Sequence, residues 1–152
     1  MTIAPNAARF APLAPERAAA WMEAPTFEPA FFPGMIGIQL EEVRTDYARM
    51  RLRFRPELNQ PAGVMHGGAI ATLIDTVVVP AIGQAYAEPR RFVTIDMQVQ
   101  YLEPIVGEDL IAEGWITKRG RSTVFCRAEV FTASGALAAT GTLVYKVGRP
   151  AA

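Results

Sequence analysis

Gln60-Pro61-Ala62-Gly63-Val64-Met65-His66-Gly67-Gly68-Ala69-Ile70-Ala71-Thr72-Leu73-Ile74-Asp75 passes from a Pro/Gly turn, through a His-Gly-Gly triplet, into an apolar run broken by one acid. The run predicts a helix that begins near His66 and reaches about Val79. Glycine costs a helix interior up to about 1 kcal/mol, so the Gly67-Gly68 pair belongs at its start. The first four N–H groups of a helix lack internal partners and lie at the positive end of its dipole. With no side chains over them, the Gly67 and Gly68 amides are expected to stay open to a ligand oxygen, the geometry of an anion or oxyanion site. Thr76-Val77-Val78-Val79 is β-branched and Pro80 lacks an N–H. The helix is therefore expected to end or kink there, with a restart through Ala81 to Tyr86.

On either side of this run the pattern is that of strands. Residues 36–43 form one, and Arg49-Met50-Arg51-Leu52-Arg53-Phe54-Arg55 alternates strictly, with four arginines on one face. That face reads either as a functional basic strip or as an ordinary solvated sheet face, the second being commoner. Residues 56–65 form a loop. Val93, Ile95, Met97, Val99 and Tyr101 alternate with Thr94, Asp96, Gln98 and Gln100, which places Thr94 on the polar face. Residues 108–117, 122–131 and 137–147 follow as strands, separated by turns at Lys118-Arg119-Gly120-Arg121 and Ala133-Ser134-Gly135. One apolar helix among six strands must be covered on most sides. The simplest solution is a single α+β domain over residues 35–148, a curled antiparallel sheet wrapped around the helix. Residues 1–34, rich in Ala and Pro, read as an arm with one helical candidate, Pro15 to Ala24. Its aromatic residues Trp21, Phe27, Phe31 and Phe32 favour docking over disorder.

Composition narrows the function. Fifteen basic residues balance fifteen acidic ones across 152 positions, leaving no footprint for bulk nucleic-acid or membrane binding. Cys126 is the single cysteine and His66 the single histidine, so no metal centre is expected. No membrane span or signal peptide is visible, and a cytoplasmic location is the expectation.

His66 and Asp75 lie nine positions apart, on opposite sides of the predicted helix and roughly 13 Å apart along it. Gly67 and Asp75 lie about 12 Å apart on the same reckoning. One small reacting group cannot touch both ends in one chain. Either the two features are unrelated, or a second copy brings its Asp75 beside the first copy's Gly67 in a two-fold dimer.

The stretch Gln60 to Gly68, followed by Asp75 nine residues after the histidine, resembles the hotdog-fold acyl-CoA thioesterases of the phenylacetate-degradation (PaaI-like) group. Val93-Thr94-Ile95-Asp96-Met97-Gln98-Val99-Gln100-Tyr101-Leu102-Glu103-Pro104 is similar to that group's strand after the helix, and element order agrees over about residues 35–147. The resemblance implies the hotdog fold and hydrolysis of an acyl-CoA thioester without a cofactor, in a homodimer or a dimer of dimers. It implies that the Gly67 N–H polarises the thioester carbonyl and that Asp75 of the partner subunit acts as nucleophile or general base. His66 would support the Gly67 loop, with Gly68 beside it. Gln60, or Asn59 after a one-residue shift, would stand near the carbonyl or the attacking water, and Thr94 would hold that water. Arg90, Arg91, Lys118, Arg119 and Arg121 are the candidates for the CoA phosphates. Val77-Val78-Val79-Pro80 replaces the small residues usual in that group, which implies a reshaped acyl pocket. The competing reading is a non-catalytic hotdog module that binds acyl-CoA or serves as an assembly scaffold. A hydratase is disfavoured by the His-to-Asp spacing, and a ligand-sensing regulator by the absence of a DNA-binding segment.

Overall fold

The computed structural model of the protein describes residues 5–24 and 27–150; positions 1–4 and 25–26 of the arm lie outside them. Six strands form one antiparallel sheet: β1 (Ile38–Arg44), β2 (Tyr47–Leu52), β3 (Arg90–Tyr101), β4 (Leu110–Arg119), β5 (Thr123–Thr132) and β6 (Leu137–Pro150). Their order across the sheet is β1-β2-β4-β5-β6-β3, so β3, early in sequence, closes the far edge beside β6. The six strands and the one long helix agree with the pattern read from the sequence. Two shorter helices precede them, α1 (Pro15–Met22) and α2 (Phe32–Met35).

The long helix, α3 (Gly67–Gly83), lies against the inner face of the sheet. Leu73, Ile74, Val77, Val78 and Ile82 are fully buried, each contributing about 1.5–3 kcal/mol of hydrophobic stabilisation. The helix sits so close that a Cβ on Gly114 of β4 would meet Val77 at 2.7 Å and Val78 at 2.9 Å. Those two valines fill the contact with the sheet, and of the three Val79 alone is half-buried. Of the two outcomes expected at Pro80, an end or a kink, the end does not occur. The helix runs through Pro80 to Gly83, because the buried faces of Pro80, Ala81 and Ile82 hold the last turn against the core. Packing here outweighs one missing backbone hydrogen bond.

The arm is docked. Asn6 donates from its backbone N–H and its Nδ2 to Glu113, which is fully buried and also accepts the Tyr47 hydroxyl at 2.7 Å. Phe10 stacks on Tyr47 at 5.1 Å and packs beside Trp115. Further along, a Cβ on Gly83 would overlap the ring of Trp21, so this glycine leaves the seat that α1 fills. Arg17 of α1 donates to the Gln84 carbonyl at 2.5 Å, placing a cation at the negative end of α3, whose own last turn has none.

The first of the alternating arginines are ion-paired on a partly solvated face. Arg49 pairs with Glu41 at 3.0 Å and Glu42 at 3.4 Å, and Arg51 with Glu41 at 2.5 Å and Asp109 at 3.4 Å. β2 ends at Leu52, so Arg53 and Arg55 lie beyond it. No helix among the described residues is long and apolar enough to cross a membrane.

Candidate functional site

The turn ahead of α3 is fixed by its backbone. The His66 N–H donates to the Leu58 carbonyl at 2.7 Å, Met65 to Ile105 at 2.9 Å, and Gly63, at φ 82°, to Gln60 at 2.9 Å. That positive φ suits glycine and turns the chain into the helix start. His66 is the N-cap of α3, and its Nδ1 accepts the Gly68 N–H at 2.8 Å. Gly68 is thus not open to a ligand as the sequence led us to expect, because an imidazole can cap a helix as a carboxamide does. The Gly67 N–H donates to nothing among the described residues. Gly67 lines a cavity of about 310 Å³ together with Gln60, Met65, Ile70, Tyr101 and Glu103.

Tyr101 at the end of β3 donates its hydroxyl to the Gly67 carbonyl at 3.0 Å, and its ring lies where a Cβ on Gly67 would make contacts of 3.2–3.3 Å. Sequence reasoning did not single out Tyr101; its place in the strand alternation read only as packing. Gln60, exposed, lines the cavity, whereas Asn59 does not; the Asn59 Oδ1 is buried with no partner among the described residues.

A second cluster surrounds Asp75, further along α3. Thr94 donates to Asp75 Oδ1 at 2.8 Å, and the Tyr145 hydroxyl reaches the same oxygen at 2.6 Å. Thr94 and Tyr145 are direct cross-strand partners on β3 and β6, so their side chains leave one face of the sheet together. A register shift between Thr94 and Asp96 explains why Thr94 points inward. A β-bulge inserts a residue and reverses the alternation after it. Phe92 and Thr94 face α3 before the bulge and Met97 and Val99 after it, while Val93 and Ile95 are 61% and 58% exposed. The polar-face assignment of Thr94 from simple alternation is thereby corrected. Burial first, and then the Asp75 hydrogen bond, push the Tyr145 phenol well above the ordinary tyrosine range, so it stays a proton donor. Asp75 is half-buried, and its Oδ2 accepts no hydrogen bond among the described residues. Tyr145 was not read from the sequence, where it sits in an apolar run as core.

The cationic candidates divide. Arg90 lies over the Tyr86 ring at 4.7 Å beneath the arm. Arg91, Lys118 and Arg121 are exposed, and Arg119 is paired with Asp46. Val124, the cross-strand partner of Arg119, itself pairs with Tyr145, which pairs with Thr94. One row of the sheet thus carries the β4–β5 turn towards Asp75, at the end away from Gly67.

The model of the Thioesterase superfamily matches residues 62–139, from the turn before α3 into β6. The chain belongs to the thioesterase superfamily. As a member it is a thioester hydrolase. It is 33% identical over 119 residues to a Halobacterium salinarum protein whose name places it provisionally among the esterases, covering 75% of this chain and 78% of that one. It is 25% identical over 132 residues to the medium/long-chain acyl-CoA thioesterase YigI of Escherichia coli, covering 77% and 85%. Its hotdog fold is that of the E. coli PaaI protein from the phenylacetic acid degradation operon, with a TM-score of 0.72 and 17% identity over 78% of this chain and 84% of that one. The matched segment of this thioesterase holds His66, Gly67, Asp75, Thr94 and Tyr101; Tyr145 lies just beyond it.

Proposed function

We propose that the protein hydrolyses acyl-CoA thioesters at two sites, each shared between two copies of the chain. The Gly67 amide of one copy polarises the thioester carbonyl, and Asp75 of the other is the nucleophile or the general base. The observation that carries this reading is the one open amide at the head of α3. Its neighbour is already occupied by His66, so the helix start offers a single donor to a single oxygen. Such a donor stabilises the oxyanion of acyl transfer by about 3–4 kcal/mol. Water adds to the carbonyl carbon, the C–S bond breaks, and the products are a carboxylic acid and the CoA thiol.

Along α3 the Gly67 amide and Asp75 are separated by about 12 Å, too far to act on one carbonyl. The edge strand β3, with exposed Val93 and Ile95, supports pairing with a second copy that brings its Asp75 across. The free Oδ2 of Asp75 is the oxygen offered to substrate or water, while Thr94 and Tyr145 hold Oδ1. In this arrangement Thr94 positions the acid, His66 shapes the loop, and Gln60 stands beside the carbonyl. Exposed Arg91, Lys118 and Arg121, and Arg119 beside Asp46, are the proposed contacts for the CoA phosphates. The name of the E. coli relative YigI, an acyl-CoA thioesterase, supports that carrier. The catalytic unit is taken to be residues 35–148.

The test is thiol release from a panel of aryl and straight-chain acyl-CoAs by the wild type and Asp75→Ala, with folding checked by circular dichroism. The expected result is release from at least one thioester that falls at least about a hundredfold in the variant. Undiminished release by a folded Asp75→Ala protein sinks the proposal.

A further inference from the structure

Gly67 and Gly68 stand together at the head of α3, and glycines restrict the backbone less than any other residues. A donor to an oxyanion has its full effect only when it is held in place beforehand. Neither glycine has a side chain that could hold it, so the direction of the Gly67 N–H must be set by groups from elsewhere. The peptide group between Gly67 and Gly68 is held at both poles. Its N–H donates to His66 Nδ1 at 2.8 Å, and its carbonyl oxygen accepts the Tyr101 hydroxyl at 3.0 Å. On the other side, the His66 N–H is tied to the Leu58 carbonyl at 2.7 Å. The peptide group that carries the Gly67 N–H lies between these anchors, and they set where it points.

Of these holders, Tyr101 is the one that comes from the sheet. Its backbone is firm: Tyr101 pairs with Ala139 of β6, and the next residue, Leu102, donates its N–H to the Ala138 carbonyl at 2.9 Å. The ring is fitted to its place. A Cβ on Gly67 would meet it at 3.2–3.3 Å, so a glycine at this position is what admits the ring so close. Tyr101 is nevertheless 53% exposed and lines the same cavity as Gly67, so the core does not account for where its ring lies. The hydroxyl does, through the bond that it donates to the Gly67 carbonyl.

We infer that Tyr101 is a positioning residue for the reaction: by holding the Gly67 carbonyl it aims the Gly67 N–H at the oxygen of the substrate carbonyl. The inference rests on the acyl-thioester reading above and adds a residue to it. Tyr101 acts through Gly67 and forms no bond to the substrate itself.

The experiment uses Tyr101→Phe, which keeps the ring and removes the hydroxyl. Its kcat on octanoyl-CoA is expected to fall about three- to tenfold, the range of one neutral hydrogen bond, with KM changed by less than about twofold. Two unreactive CoA derivatives of the same chain length are then titrated by calorimetry into the wild type and the variant. One is the ketone with CH₂ in place of the thioester sulfur, which presents a carbonyl oxygen; the other is the octyl thioether, which has none. The variant is expected to bind the ketone at least about threefold more weakly and the thioether unchanged. A merely structural role for Tyr101 would weaken both alike. That outcome overturns the inference, as does a kcat equal to that of the wild type. A rise in KM at constant kcat would mean that Tyr101 contacts the substrate directly, and also overturns it. If the wild type turns over no thioester, the hydrolase reading falls and the two titrations still decide. Selective loss of the ketone in Tyr101→Phe keeps the assignment of Tyr101 to a carbonyl-binding loop. A wild type that does not bind the ketone more tightly than the thioether removes it.

Discussion

The Gly68 amide donates to Nδ1 of His66 across 2.8 Å, and so the single histidine of the protein is a helix cap. Its replacement should be felt in stability before chemistry. His66→Ala is expected to cost about 1 kcal/mol, the usual value of an N-cap, and to lower Tm by about 2–4 °C. Thermal unfolding followed by circular dichroism reads this directly. A Tm equal to wild type would mean that the cap carries no stability.

Gly67 is the first residue of α3, where proline is tolerated because its N–H has no helical partner. His66 already has the extended backbone that precedes a proline, φ −66° and ψ 132°. Gly67→Pro therefore removes the proposed carbonyl donor at a position whose backbone accepts proline, while its Cβ displaces the Tyr101 ring. Tyr101→Ala in the same background separates the two effects, relieving the contact without restoring the N–H. For Gly67→Pro itself, kcat should fall at least about a hundredfold. Mixing this variant with Asp75→Ala, under conditions that exchange subunits, should restore activity. Each mixed pair regains one intact site. Failure of exchanged mixtures to recover any activity would argue that both groups act within one chain.

Tyr145 holds the Oδ1 of Asp75 at 2.6 Å. Tyr145→Phe keeps the ring that packs on Phe92 and removes only the donor. The expected result is a fall in kcat of about tenfold, from lost orientation of the acid, with KM little changed. An unchanged kcat would leave Thr94 as the sufficient holder of Asp75.

Cys126 is buried, and burial pushes its thiol up to about 12 from an ordinary value near 9. The folded pKa is above the unfolded one, so the stabilising contribution is complete below about pH 9. It is lost as pH rises from there towards 12, because the unfolded chain releases its proton first. Urea midpoints should decline over this interval, and Cys126→Ala should flatten the decline. The same burial predicts no reaction with a thiol reagent at pH 8 until the protein is unfolded.

Most of the scaffold was legible because its signals are periodic: alternation for the strands, an unbroken apolar run for the helix, and Gly-rich turns between hairpins. Three features escaped for three physical reasons. α3 continues past Pro80 because tertiary burial of Ala81 and Ile82 overrides a local breaker. Thr94 turns inward because a bulge changes the phase of alternation, and a bulge leaves no mark in residue type here. Tyr101 and Tyr145 join the site through hydroxyl groups carried on apolar rings, which a hydropathy pattern counts as core. The arginine alternation of β2 was visible, but its acidic partners come from β1 and from Asp109, just before β4, and only strand order brings them opposite.

The placement of β3 beside β6 has a consequence for biosynthesis. β3 leaves the ribosome before three of the other strands, and the strand that satisfies its backbone is the last of the six to emerge, over Leu137–Pro150. Until then its amides and apolar residues face water, or whatever else is present. Assembly of the sheet is thus gated by synthesis of β6, and premature termination within residues 137–150 should yield an aggregating product rather than a smaller folded one.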